Sequence, residues 1–527
     1  MKSTTITIDN ICALEKIKKE KDNSLDIIFA DPPYALGSKV IIKDSKPIYE
    51  KATDFMSKWK MPDENFWEEF FIEAQRVLKY GGRVLFFGMD RQLMLFQYYA
   101  AAANLETKQS LYWFYINSFP KATDLSQKID SRLGTERKII GKRNDFSLDG
   151  AVRDPNKHKE HLCNVENDAS HKYGYKKNPW DSEVTVSNSE LGQKYEGQKY
   201  GVAPFKQVLE TIMIFQKPYK NKSMLDDVLA FENGDETISP SCWFIDNGRV
   251  PTNDSLDGGA TTGSVVSQEG FDRPWMHDGK SLEEHQEKMK KKVEFAQQKG
   301  RFPSQLFVDE NIAERLDEQS GILTSGKMKA GTKYGQGQNQ NCYGTLSGCT
   351  KQDTPGDSGG CSRILHVINL LENETNLTIY TPKVSTSERN IGLDNFEEKS
   401  RSTLHGPDTT NKEEMNDVSK RFISKPVKNN HPTLKPIKLI YQIAKLLKTE
   451  NNQKVFFPFS GSGSEIIGFL LAGFDGSDFT CSELSSDYID IANARIDYWK
   501  DVDIEKYIDK NIIETPEKQE TTSDCLF

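Results

Sequence analysis

Strand–helix alternation occupies both ends of this chain and fails between Lys220 and Lys425, and this split constrains the fold more than any other feature. In the N-terminal block, "TTITIDN" and "LDIIFA" read as strands on either side of a helix, "ICALEKIKKEK". "ENFWEEFFIEAQRVLKY" repeats apolar residues at helical spacing and stops at Gly81-Gly82. "RVLFFG" then reads as a buried strand, "MDRQLMLFQYYAAAANLE" as a helix and "SLYWFYIN" as an aromatic strand. The C-terminal block repeats the pattern: helix "LKPIKLIYQIAKLLK", strand "KVFFPF", helix "SEIIGFLLAGF", strand "DFTCSEL" and helix "DYIDIANARIDYW". Such alternation belongs to α/β sheets, so the two blocks are expected to be halves of one sheet around a long insert. The insert holds polar, Gly-rich pieces such as "PTNDSLDGGATTGSVVSQEG" and one charged helix, "SLEEHQEKMKKKVEFAQQKG". It reads either as linker or as a loop-rich domain that orders on a partner.

At 527 residues the chain exceeds what one core usually sustains. No apolar run approaches the ~18–20 residues of a membrane span, and "MKSTTITIDN" has no apolar signal region, so the expected location is the cytoplasm, with no membrane partner. The eight cysteines include no C-x-x-C pair, and no metal is expected. The formal charge of -9 argues against nucleic acid only as a sum, because binding depends on a local patch. Between Val418 and Lys438 the chain carries Lys420, Arg421, Lys425, Lys428, Lys435 and Lys438 and no acid, which suits a polyanion or a solvated linker equally.

Three short stretches carry chemistry. "FADPPYALG" leaves a strand through Asp31-Pro32-Pro33-Tyr34. Two prolines cannot donate ladder hydrogen bonds, so the strand ends in a stiff loop, either a plain turn or a pocket for a flat, hydrogen-bonding ring. "VFFPFSGSGSE" ends a strand at Pro458-Phe459 and turns through Ser460, Gly461 and Gly463 into a helix, a geometry that lets backbone approach a ligand. Glu483 stands where the next strand should end and can take the two hydroxyls of a ribose. In "NNHPTLKPIKLI", His431, Thr433 and Lys435 precede a helix, with Thr433 the expected cap and Pro436 near the first turn.

DPPY, a long variable region, H-P-T-x-K-P and F-x-G-x-G, in that order, resemble the β group of AdoMet-dependent DNA amino-methyltransferases, the N4/N6 DNA methylase family. "NSLDIIFADPPY", "RVLKYGGRVLFFG", "FPKATDLSQKID", "NGRVP", "GRFPSQLFVDE", "LDEQSG", "YTPKVSTSERNIGL" and "YIDIANARI" resemble segments of phage and prophage adenine methyltransferases. The resemblance implies a Rossmann-like fold: a mostly parallel, seven-stranded sheet with helices on both faces. Its catalytic half would span 1–225, an inserted target-recognition region 226–425 and the AdoMet half 426–505, with a polar tail at 506–527. It implies S-adenosyl-L-methionine as methyl donor and N6 of adenine in double-stranded DNA as acceptor. A homodimer and a cognate restriction endonuclease are further partners open to it. Asp31 and the Pro32 carbonyl would accept the N–H bonds of the target amine, Pro33 would keep the loop rigid, and Tyr34 would stack on a base that has left the duplex. Phe459, Ser460, Gly461, Gly463 and Glu483 would hold AdoMet, Thr433 and Lys435 its methionine end, and Asp9 its adenine. Lys420, Arg421, Lys425 and Lys428 would meet DNA phosphates.

Relatives usually begin the glycine turn with Asp-Pro-Phe, whereas this chain has Phe457-Pro458-Phe459. The missing acid is expected to help hold the cofactor's ammonium, so either binding is weakened or another acid substitutes. Two alternatives therefore stand beside adenine methylation: N4-cytosine methylation on the same fold, and a catalytically weakened DNA-binding subunit. "PGDSGGC" at 355–361 has the string found around chymotrypsin-like nucleophiles, but a triad also needs a partner histidine and a barrel of strands, and no all-β pattern is read in the chain.

Overall fold

A computed structural model describes residues 6–34, 39–50, 65–115, 121–142, 183–205, 207–240, 242–250, 256, 279–324, 333–334, 340–341, 344–345, 349–350, 358–368, 386–398, 427–500 and 502. The chain divides into two compact units: Met1–Asn117 with Val208–Arg401 and Lys425–Phe527, and Ser118–Gln207 with Ser402–Ser424. Among the described residues no helix is long and apolar enough to cross a membrane.

The larger unit is built on one sheet. Its strands in chain order are β1 (Ile8–Asn10), β2 (Leu25–Ala30), β3 (Leu78–Gly88), β4 (Leu111–Phe114), β5 (Leu209–Gln216), β6 (Leu306–Asp309), β7 (His366–Ile368), β8 (Val455–Phe457) and β9 (Phe479–Glu483). They lie side by side as β1-β9-β8-β2-β3-β5-β4-β6-β7, with the short strand Glu106–Thr107 paired to β5 as a tenth. β5 runs antiparallel to both its neighbours, while every other adjacent pair along this order is parallel. The expected seven strands are thus β1 through β4 in space, and β6 and β7, from within 226–425, extend that edge. This is the Rossmann-like α/β architecture, in which β8 and β9 from the C-terminal block insert between β1 and β2 of the N-terminal block.

Period-two alternation places the core on both faces. Ile27, Phe29, Leu85, Phe87, Ile212, Ile214, Val455 and Phe457 face one side, packed with α4 (Ile437–Leu447), α5 (Ser464–Leu471) and α6 (Ser486–Trp499). Ile28, Ala30, Val84, Phe86, Met213, Phe215 and Phe456 face the other, packed with α1 (Ala13–Ile17), α2 (Phe66–Val77) and α3 (Asp90–Ala102). Each fully buried Phe or Leu contributes about 1.5–3 kcal/mol, so the central strands carry much of the core's stabilisation. Pairing of Ile27 with Val455 and Ile28 with Phe456 sets the carboxyl ends of β2 and β8 next to each other. Asp26, 3 % exposed, reinforces the join by accepting from the Lys454 N–H at 2.8 Å and Lys79 Nζ at 3.0 Å. Strand order reverses between β2 and β8, and α/β sheets bind their ligands in the crevice at such a switch point.

In the smaller unit, Lys121–Asp124 pairs antiparallel with Lys199–Ala203, and buried Asp130 accepts from Ser187, Ser189 and Arg137 at 2.8, 2.6 and 2.6 Å. The expected catalytic half, 1–225, thus contributes to both units.

Candidate active site

β2 ends at Ala30 and the chain passes straight into Asp31-Pro32-Pro33-Tyr34 at the carboxyl edge. β8 ends at Phe457, and the turn 458–463 follows beside it. Gly461 and Gly463 have φ of 48° and 83°, the left-handed region that favours glycine. A Cβ on Gly461 would stand 3.0 Å from His431 Nε2, and one on Gly463 3.2 Å from Ala492 Cβ, so the turn fits only without side chains. Ser460 fixes it from within: its N–H donates to the Ser482 carbonyl at 3.0 Å and its hydroxyl to the Phe457 carbonyl at 3.2 Å. The Phe459 ring packs among Phe66, Trp67 and Phe70.

Glu483, the last residue of β9, crosses back to the turn. One carboxylate oxygen accepts the Gly461 N–H at 2.9 Å and the other the Ser485 N–H at 2.9 Å. Burial raises its pKa above the ordinary carboxylate value, and these backbone donors oppose that shift. Register pairs Asn10 with Glu483 and Asp9 with Ser482, which puts Asp9 at the same edge, in an ion pair with Lys16 at 2.9 Å.

The third stretch meets the first. Lys435, 2 % exposed, places Nζ 2.6 Å from Asp31 Oδ2 and 3.5 Å from Glu210 Oε2. The same ammonium donates to the Tyr34 hydroxyl at 3.5 Å and lies 4.6 Å from the Phe87 ring centroid. Glu210, on β5, is 1 % exposed and also accepts from the Tyr115 hydroxyl at 3.4 Å. Tyr34 is 9 % exposed; burial, then the charge and hydrogen bond of Asp31, hold its hydroxyl well above the usual tyrosine range.

Thr433 does not cap the helix. α4 begins after Pro436, and its first N–H, on Ile437, donates instead to Glu388 Oε1 at 2.7 Å. Thr433 is exposed, and its carbonyl accepts from His431 Nδ1. Burial drives His431 down to about 3, so the ring is neutral at ordinary pH. Arg389, beside Glu388, donates to the Asn429 and His431 carbonyls at 3.3 and 2.5 Å. Two residues from within the insert therefore hold the approach to α4. Lys428 donates through Nζ to the Asp394 carbonyl at 2.9 Å, whereas Lys420, Arg421 and Lys425 lie outside the described residues. So does the "PGD" part of the protease-like string.

The structure therefore brings Asp31, Tyr34 and Lys435 into one cluster and Ser460, Gly461, Gly463 and Glu483 into an adjoining turn. Glu210, Glu388, Arg389 and Glu465 were not singled out from the sequence. Glu210 left a trace as the acid inside "LETIMIFQ", and Glu465 as the acid closing "SGSGSE". Glu388 and Arg389 lie within "YTPKVSTSERNIGL", but nothing in that stretch marks their role, because their partners are made by tertiary contact. Among the described residues no group of three or more His, Cys, Asp or Glu is placed to hold a metal.

An α/β sheet whose switch point carries an acidic Pro-Pro loop opposite a glycine turn and a strand-end acid defines a nucleoside-binding class of protein. The sequence pattern of the N6_N4_Mtase family, described as DNA methylase, matches residues 25–494, and the chain belongs to that family. It is 25 % identical over 154 residues to the type II methyltransferase M.HpaI of Haemophilus parainfluenzae, a match over 29 % of this chain and 45 % of that one. The chain thus spans less than half the length of this curated relative. Among solved structures it is similar to the M1.HpyAVI–SAM complex, at 10 % identity and a TM-score of 0.29, over 93 % of this chain and 100 % of that one. It is also similar to PvuII DNA methyltransferase (cytosine-N4-specific), at 10 % identity and a TM-score of 0.33, over 96 % and 91 % of the two chains.

Proposed function

We propose that this protein transfers the methyl group of S-adenosyl-L-methionine to the N6 amino group of adenine in double-stranded DNA. The observation that carries this reading is the placement of Asp31, held by Lys435 at 2.6 Å, across the switch point from a glycine turn bonded to Glu483. The cluster fits a cationic nucleoside: it offers a strand-end carboxylate for ribose hydroxyls, glycines that admit close approach, and buried acids for positive charge. AdoMet supplies an electrophilic methyl on a sulfonium.

The chain's own part is to aim and polarise the amine. An exocyclic amine conjugated into a ring is a poor nucleophile until its lone pair leaves the ring plane. Asp31 has lone pairs to spare beside Lys435 and accepts one amine N–H, and the Pro32 carbonyl accepts the other. These acceptors stabilise the positive charge that grows on nitrogen as the N–C bond forms and the C–S pair returns to sulfur. The surplus proton leaves through Asp31 or water. Tyr34 is buried, so stacking of a flipped base on its ring requires the 31–34 loop to open.

Adenine is favoured over cytosine by aspartate at position 31, where the family resemblance associates serine with N4-cytosine. Incubating duplex DNA with the purified protein and AdoMet, then analysing nucleosides by mass spectrometry, is expected to yield N6-methyladenine. N4-methylcytosine would transfer the reading to the other base, and unmodified DNA would sink it. The stretch 226–425 is proposed to read the target sequence and the basic run at 420–428 to meet phosphates, with the protein working in the cytoplasm.

Glu483→Ala removes the acceptor proposed for the ribose hydroxyls. Hydrogen bonds to a charged group contribute about 1.5–3 kcal/mol, so AdoMet affinity should fall roughly tenfold to a hundredfold by calorimetry. An unchanged dissociation constant would remove Glu483 from the ribose.

A further inference from the structure

Phe457, where relatives carry the acid of the glycine turn, is 1 % exposed, and its ring packs edge-on against Phe469 and Phe479, each at 5.2 Å. That position belongs to the apolar core. The buried acid in this neighbourhood stands instead at Glu465, in the first turn of α5 and 7 % exposed. Among the described residues no side chain donates a hydrogen bond to its carboxylate or forms an ion pair with it. The groups that face it are Asp31 and Tyr34 from the end of β2, Lys435 from the approach to α4, and Arg495 from α6. Lys435 is already shared by Asp31 and Glu210, and Arg495 Nη1 is committed to the Ser462 carbonyl and hydroxyl and the Ser464 hydroxyl, at 2.6, 3.0 and 3.2 Å. Lys435 is thus divided between two other carboxylates and Arg495 also faces Glu388, so neither cation belongs to Glu465 alone, and a buried charge without a counter-charge of its own is costly.

We propose that Glu465 is the substitute acid, and that its carboxylate binds the ammonium of the methionine end of AdoMet. The proposal rests on the methyl-transfer reading above and adds a residue to it. A cation delivered to this spot completes the charge balance that the chain leaves open, and the sulfonium of the same molecule is then directed toward Asp31. In the free protein, burial first and the charge of Asp31 second push the Glu465 carboxyl up to about 7, the direction expected of an acid whose counter-ion arrives with the ligand. The loss of the acid at Phe457 is then a relocation to the next turn of chain and not a loss of cofactor binding.

Calorimetry on the full chain separates the outcomes with three probes: AdoMet, S-adenosylhomocysteine, and 5′-deoxy-5′-methylthioadenosine, which lacks the amino-acid end. Glu465→Gln keeps the shape and removes the charge, and Glu465→Ala provides a second variant should glutamine pack poorly. Both should bind AdoMet and S-adenosylhomocysteine about 10- to 100-fold more weakly at pH 7.5–8, the range for one charge-assisted contact, and methylthioadenosine as the wild type does. Below about pH 6 the gap between wild type and E465Q should narrow, because a protonated glutamic acid resembles glutamine there. Equal loss of all three ligands would overturn the proposal by making Glu465 a general support of the pocket. Loss confined to AdoMet would overturn it by assigning Glu465 to the sulfonium. No loss at all would overturn it outright. If the wild-type protein bound none of the three, the methyl-transfer reading itself would fail together with the proposal.

Discussion

Asp31→Ala and Asp31→Asn are expected to reduce methyl transfer at least about 10²–10³-fold, the usual effect of deleting one preorganised group at developing charge, while AdoMet affinity changes by no more than a few-fold. The reason is the division of labour in the cluster. Asp31 is the carboxylate at the carboxyl end of β2, 11 % exposed and paired with Lys435, and it is the one proposed to meet the incoming amine. Glu483 sits on the glycine turn on the far side, bonded to Gly461 and Ser485, and does not depend on Asp31 for its position. Without Asp31, Lys435 still faces Glu210, so the fold keeps a compensated charge pair. Asparagine is the sharper test, because it preserves volume and offers an N–H₂ that can turn toward the amine it should accept from. Single-turnover transfer on duplex DNA, with calorimetry on the same samples, measures both quantities. Near-normal turnover in either variant would remove Asp31 from the chemistry.

Lys435→Met should damage both stability and activity. Lys435 lies 2.6 Å from Asp31 and 3.5 Å from Glu210 and is almost wholly enclosed, with its stem and ammonium against Phe87 and Tyr34. Methionine fills the stem's space and removes the charge, leaving two enclosed carboxylates to face each other. Breaking a buried pair in this way costs about 3–5 kcal/mol, so the urea midpoint should fall clearly while the m-value stays put. Methyl transfer should fall as well, since the amine acceptor loses the cation that holds it in place. A variant as stable as wild type would mean that Lys435 is not the counter-charge of this cluster.

Much of this was legible before any tertiary contact was known. The short apolar runs "LDIIFA" and "RVLFFG" read as strands, and the structure finds each buried on both faces, whereas "LETIMIFQ", which forms the central strand β5, was not singled out. Asp31-Pro32-Pro33-Tyr34 and the Gly461/Gly463 turn were legible because proline and glycine restrict or free the backbone locally. Thr433 misled for a related reason. A threonine ahead of a helix is a good cap by local rules, yet α4 starts after Pro436 and a distant carboxylate, Glu388, takes its first N–H. Local rules rank capping residues and do not know which acid another segment delivers.

What the sequence determined by itself is therefore the parts: the two half-sheets, the stiff acidic loop, the glycine turn, the strand-end acid and the absence of an acid at Phe457. Only the tertiary structure decided how they meet. Parallel pairing of β2 with β8 joins residues more than 400 positions apart, and so sets Asp31 beside the turn at 458–463. The same closure seats Lys435 between Asp31 and Glu210 and leaves Glu465 buried with no side chain among the described residues donating to it. The physical reason is that charge balance in an enclosed site is a sum over groups from several elements, and no single stretch of chain contains that sum.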